Sequence, residues 1–145
     1  DYGVMHSPYG RDIVREYALE TLADEDAVLV IDETGFLKQG KASCGVARQY
    51  TGSAGKITNC QIGVSLAVAT SSEQIPVDFE LYLPKTWAED PVRRAEARIP
   101  DAVTFKTKIE LALEMIARAA QRAIGALFVR RRHAHRSYFH RKQPA

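Results

Sequence analysis

Two alternating runs constrain this chain more than any other feature. In "KITNCQIGVSLAVAT", Ile62, Val64, Leu66 and Val68 alternate with Gln61, Gly63, Ser65 and Ala67; in "IPVDFELYLP", Val77, Phe79, Leu81 and Leu83 alternate with Asp78, Glu80 and Tyr82. A side-chain period of two sends the two sets to opposite faces, so each run predicts a strand with one face on a core. The "TSSEQ" between them is turn chemistry, and the pair predicts an antiparallel hairpin. Upstream, "AVLVIDETG" is a short apolar, β-branched run closed by a Thr-Gly breaker, which reads as a buried strand with Asp32 at its end. A long glycine-spaced loop separates it from the hairpin.

The period then changes. "SPYGRDIVREYALETLADED" carries Ile13, Val14, Tyr17, Ala18 and Leu22 at helical spacing, with Ser7 or Asp12 as caps, and predicts a helix from about residue 11 to 23. After the proline-punctuated connection "LPKTWAEDPVRRAEARIPDAV", Ile109, Ala112, Leu113, Ile116, Ala119 and Ala120 mark one face of a second helix. Thr107 followed by Glu110 is a capping-box signature for its start, and Gly125 a plausible stop. "ALFV" could open another strand before "RRRHAHR" overwhelms it with charge.

With 145 residues, 46% hydrophobic and 26% charged, the chain has the composition of one soluble globular domain. Its longest apolar run, "AVLVI", is far short of the ~20 residues of a membrane helix, and no charged-then-apolar leader opens it, so the expectation is a cytoplasmic protein with no membrane partner. Cys44 and Cys60 have no metal or redox spacing and read as small buried hydrophobes. Charge is unevenly placed. Residues 126–145 hold Arg130, Arg131, Arg132, Arg136, Arg141 and Lys142 and no acid; removing these six bases from the chain's 20 leaves 14 against 18 acids. A mildly acidic body thus meets a strongly basic tail.

Asp32 is the residue with chemical promise. Phosphodiester cleavage by two divalent cations, ~3.5–4 Å apart, needs hard oxygen ligands, and an acid on a strand can deliver one. From pattern alone, an acid at a strand end is more often a turn-former or cap. The basic residues Lys38, Lys41, Arg48 and Lys56, with Gln49 and Tyr50, could contact DNA phosphates and sugars; the same spacing describes any solvated loop. "GSAGKIT" fails as a phosphate-binding loop, because Tyr50 occupies the first glycine position and Ile57 follows the lysine. His133, His135 and His140 lack a cysteine or acid beside them and sit among arginines, which disfavours zinc. Trp87, alone beside a hairpin, reads as partial core.

The motifs "DETGFLKQG", "GVARQYTGSAGK", "ELYLPKTW" and "FKTKIELALEMI", in this order and spread from about Arg11 to Ala119, resemble those of the DDE transposases of bacterial insertion sequences, also described as DDE superfamily endonucleases. The resemblance implies an α/β fold, the N-terminal part of a ribonuclease H-like mixed sheet with flanking helices. It implies Mg²⁺ or Mn²⁺ as cofactor and transposon-end and target DNA as partners, with nucleoid association. It makes Asp32 the first of three catalytic, metal-binding acids. The family's second Asp, in a context like "ADxxYG", and its later Glu have no counterpart: the chain departs at about Ala120, and no acid follows Glu114. Asp78, Glu80, Asp90 and Asp101 precede the helix, match no catalytic motif, and read as solvated strand and loop acids. The expected organisation is therefore a partial catalytic domain over 1–125 and a basic tail over 126–145, disordered or out of frame. The tail has the composition of a nucleic-acid-binding extension, yet its abrupt departure better suits a shifted reading frame. The expected function is that of an incomplete, inactive transposase chain, or of a non-catalytic DNA-binding remnant. An unpaired sheet edge would favour self-association.

Overall fold

A computed structural model describes residues 12–13, 15–18 and 27–121. The elements are α1, helical at 12–13 and 15–18; β1, Val28–Leu37; β2, Ala47–Thr51; β3, Lys56–Ala69; β4, Gln74–Tyr82; α2, Lys85–Ala88; α3, Pro91–Glu96; and α4, helical over 108–121. The remainder of the first expected helix, the "ALFV" run and the basic tail lie outside the described residues.

All four strands are antiparallel, and β3 is the hub. Its Cys60 faces Leu37 on one side and Ala47 on the other, and its residues 62–69 pair with both β1 and β4. β1 therefore takes one edge of β3, while β2 and β4 share the other. The expected hairpin is β3–β4: Thr70 N–H donates to the Glu73 carbonyl at 2.8 Å, and the Thr70 hydroxyl accepts from the Ser72 and Glu73 amides.

Paired residues of neighbouring strands share a face. Asp32, Ser65 and Phe79 form one row, and Thr34, Gly63 and Leu81 the next. Glu33, Val64 and Glu80 lie on the opposite face with Ile31, Leu66 and Asp78. That second face packs against α1 and α4 through Val64, Leu66, Val68 and Val77 with Ala18, Leu111, Met115 and Ala119. Each buried Leu, Val or Met there contributes on the order of 1.5–3 kcal/mol. The first face is partly closed by Cys44, Val46, Leu81, Leu83, Trp87, Ala97 and Ile99. Trp87 is core, as expected, and its indole N–H donates to the Val46 carbonyl at 2.7 Å. Both cysteines are buried and free, and burial pushes their thiols up.

Several expectations change. β1 does not stop at Thr34-Gly35 but runs on to Leu37, so Asp32 lies inside the strand. Gly35 permits this because a Cβ there would fall 1.9 Å from the Thr51 hydroxyl oxygen, where β2 closes over it. Nor is β1 buried: no described strand pairs with its outer edge, and Val28, Leu29 and Ile31 are 59%, 46% and 39% exposed. The long loop contains β2. The proline-punctuated connection contains α2 and α3, the latter capped by Asp90, whose carboxylate accepts the Val92 and Arg93 amides at 3.0 Å, with Pro91 opening the helix. On α4 the buried stripe is Leu111, Met115 and Ala119, whereas Ile109 and Leu113 face outward. In α1, Arg15 and Ala18 are buried and Ile13 and Tyr17 exposed.

Asp78 is the largest correction. A bulge between Leu66 and Ala67, paired to Asp78 and Pro76, leaves Val77 as the extra residue, and Val77 and Asp78 are both buried. The Asp78 carboxylate is held by Arg15 at 2.8 Å and Arg118 at 3.0 Å, and Arg118 also reaches Glu80 at 2.8 Å. Arg15, itself buried, further contacts Asp12 and the Val77 carbonyl. Asp78 is an internal strut joining α1, β4 and α4, not a solvated acid.

Candidate catalytic carboxylate and nucleic-acid interface

Strand alternation decides what Asp32 can reach. Its neighbour Glu33 turns to the helical side, where Lys108 of α4 pairs with it at 2.6 Å. Asp32 faces the other way and is exposed. Its Oδ1 accepts the Glu33 amide at 2.8 Å, and its carbonyl accepts the Ser65 hydroxyl at 3.4 Å. Beside it the floor is aromatic. The Phe79 ring lies over Gly63, where a Cβ would come within 2.2 Å of it, and meets Phe36 edge-on at 6.5 Å between centroids. Glycine at 63 is thus the residue that admits the ring next to the carboxylate row.

A divalent cation fits this site only in part. The sheet places Asp78, Glu80 and Glu33 on the opposite face, and among the described residues no group of three His, Cys, Asp or Glu could hold a metal ion. Asp32 offers one hard oxygen ligand, whereas two-cation chemistry requires several.

The expected nucleic-acid residues divide. Arg48 and Tyr50 pair with Asn59 and Ile57, are exposed, and by alternation along β3 share the face of Ser65 and Asp32. Arg48 pairs six residues along β3 from Ser65, so it lies at most ~20 Å from the Asp32 row. Gln49 faces the other side and donates to the Cys60 carbonyl at 3.1 Å, a structural role. Lys56 and Lys41 are exposed, and Lys38 is half-buried with its amide donating to Asn59. Asn59 in turn donates to the Lys38 and Gly40 carbonyls, and Gln61 to that of Cys44, which ties the 38–46 loop to Asp32's face. The sequence carries a broader signal than the single bases: from Thr34 to Ser72 there is no acid at all, while Lys38, Lys41, Arg48 and Lys56 fall within that stretch.

A family model described as DDE superfamily endonuclease matches residues 9–129. The chain belongs to the DDE superfamily endonucleases. The match continues past Ala120 and stops just before Arg130, so the departure comes at the arginine run rather than within α4. Over 106 residues the chain is 30% identical to a protein of Microchaete diplosiphon described as a probable transposase for insertion sequence element IS701. That alignment covers 73% of this chain and 25% of the relative, so the chain spans about a quarter of that curated protein's length. No solved structure matches it. DDE superfamily endonucleases generally use divalent metal ions. Among the described residues, no helix is long and apolar enough to cross a membrane.

Proposed function

We propose that this chain is part of a ribonuclease H-like catalytic core of a DNA transposase, with Asp32 supplying the first metal-binding carboxylate, and that these 145 residues alone do not cleave DNA. The observation that carries this reading is the isolation of Asp32: it is the one carboxylate that the described strands place on its face of the sheet, in a sequence with no acid after Glu114. Mg²⁺ or Mn²⁺ would supply Lewis-acid activation of water or a 3′-hydroxyl at a completed site. Asp32 contributes an oxygen, and the bond from Ser65 to its carbonyl fixes its backbone. Neither feature performs the reaction alone.

Titrating the ¹⁵N-labelled chain with Mn²⁺ tests the assignment. Paramagnetic broadening should centre on Asp32, Glu33 and Ser65 and disappear in Asp32→Asn, which should melt like the parent because the side chain is exposed and unpaired with any base among the described residues. A supercoiled plasmid should stay intact with either cation. Cleavage abolished by Asp32→Asn would mean that the carboxylate set is complete after all.

The second reading, a non-catalytic DNA-binding remnant, is favoured by the acid-free stretch from Thr34 to Ser72 and by the tail's six bases. Competition at physiological salt between terminal-repeat and random duplex, for the full chain and for one ending at Gly125, separates the two. End recognition would give a preference of ~10³ or more that truncation removes. The open edge of β1 is the surface through which copies would associate, testable by light scattering across concentration.

A further inference from the structure

The β2–β3 hairpin displays an exposed apolar pair. Tyr50 and Ile57 are direct cross-strand partners at its end, and they are 58% and 59% exposed. A cross-strand aromatic and β-branched pair helps hold its two strands together, and here both side chains also stand on the open face. Arg48 shares that face two residues away, whereas Lys56, adjoining Ile57, falls by alternation on the other. The hairpin lies inside the acid-free stretch, so the charged residues near the pair in sequence are all bases. An exposed aromatic whose charged sequence neighbours are all bases fits a polyanion carrying flat apolar groups. Among such ligands, nucleic acid has both: phosphates for the bases, and π-faces for the ring.

We propose that Tyr50, beside its cross-strand partner Ile57, stacks on an unpaired nucleobase of bound DNA, with Arg48 on a flanking phosphate. This rests on the DNA-binding reading above and adds a specific role: the hairpin reads unstacked bases rather than duplex alone. Such a contact would hold DNA open at most ~26 Å along β3 from the Asp32 row, since Tyr50 pairs eight residues from Ser65. The sequence preference should be weak, because every base offers a π-face, and the energy should come from stacking rather than from edge hydrogen bonds.

The experiment uses the full 145-residue chain and two short duplexes of the same sequence, one fully paired and one with a single bulged 2-aminopurine. Wild type should bind the bulged duplex about tenfold more tightly and quench its fluorescence. Tyr50→Ala should abolish the preference and the quench while leaving the salt dependence unchanged. Tyr50→Trp should retain both, which guards against loss through misfolding. Arg48→Gln should weaken both duplexes equally and lower the salt slope by about one. Equal binding of the two duplexes by wild type, or a preference that survives Tyr50→Ala, would overturn the proposal while leaving general DNA binding intact. Absence of salt-sensitive binding to either duplex would overturn the DNA reading itself.

Discussion

Replacing Asp78 by Asn should be among the most damaging single changes available to this fold. The carboxylate meets the guanidinium of Arg15 at 2.8 Å and that of Arg118 at 3.0 Å, and it accepts the Phe79 amide at 2.9 Å. The consequences for the two arginines differ, because Arg118 is 32% exposed and keeps Glu80, whereas Arg15 is 1% exposed and keeps Asp12 and the Val77 carbonyl. The amide preserves shape, so no cavity forms. The loss is that of a buried guanidinium left without its principal counter-charge, about 3–5 kcal/mol. For a domain of this size that corresponds to a fall in Tm of roughly 12–20 °C. Urea titration with pulse proteolysis would measure it. Arg118→Met should cost far less, and the double change Arg15→Met with Asp78→Leu should recover most of the loss, since an apolar pair replaces an ionic one. If Asp78→Asn unfolds within ~1 kcal/mol of the parent, the carboxylate is not the strut described, and the buried arginine is satisfied some other way.

Gly35→Ala should destabilise by about 1–3 kcal/mol through overpacking against Thr51, and Thr51→Gly should restore part of it in the double variant, read from the same titration. Glu110 accepts both the amide and the hydroxyl of Thr107, which hold its carboxyl below the ordinary value of 4.5. A depressed folded value means stabilisation fully present above pH 4.5 and lost as pH falls through the folded value below it. The stability difference between parent and Glu110→Gln, followed by circular dichroism, should accordingly be largest near neutrality and vanish in acid. Cys44 and Cys60, both buried with thiols pushed up, should react with a disulfide reagent only as fast as the chain opens, and burst-phase labelling in native buffer would contradict their placement.

The hairpin, the capping box at Thr107 and the core role of Trp87 were legible because each rests on local rules that tertiary packing reinforced. β2 was not, since "ARQYT" has no apolar alternation; what betrays it is the turn-rich "GSAG" that follows, leading straight into a strand. β1 was given too early an end because Gly35 resembles a breaker, and only the approach of Thr51 explains a glycine inside the strand. Asp78 reads as solvated because alternation sets it opposite the apolar Phe79 and Leu81, yet its own face of β4 is the one that α1 and α4 cover, and the bulge adds Val77 to that side. Asp32's separation from Glu33 followed directly from alternation, whereas the partition of Arg48 and Tyr50 from Gln49 required knowing that they lie on a strand at all.

The position of β1 has a consequence for motion. A strand bonded on one side alone has every second amide directed at its partner and the intervening ones directed outward. Hydrogen exchange along Val28–Leu37 should show a two-residue rhythm of slow and fast sites, while β3, bonded along both edges, is slow over residues 62–69. With no described strand on its outer edge, β1 should open locally at a free energy below that of global unfolding, carrying Asp32 with it. Whatever completes the ladder on the outer edge would silence the fast half of that rhythm and, in the same event, still the backbone that aims the carboxylate.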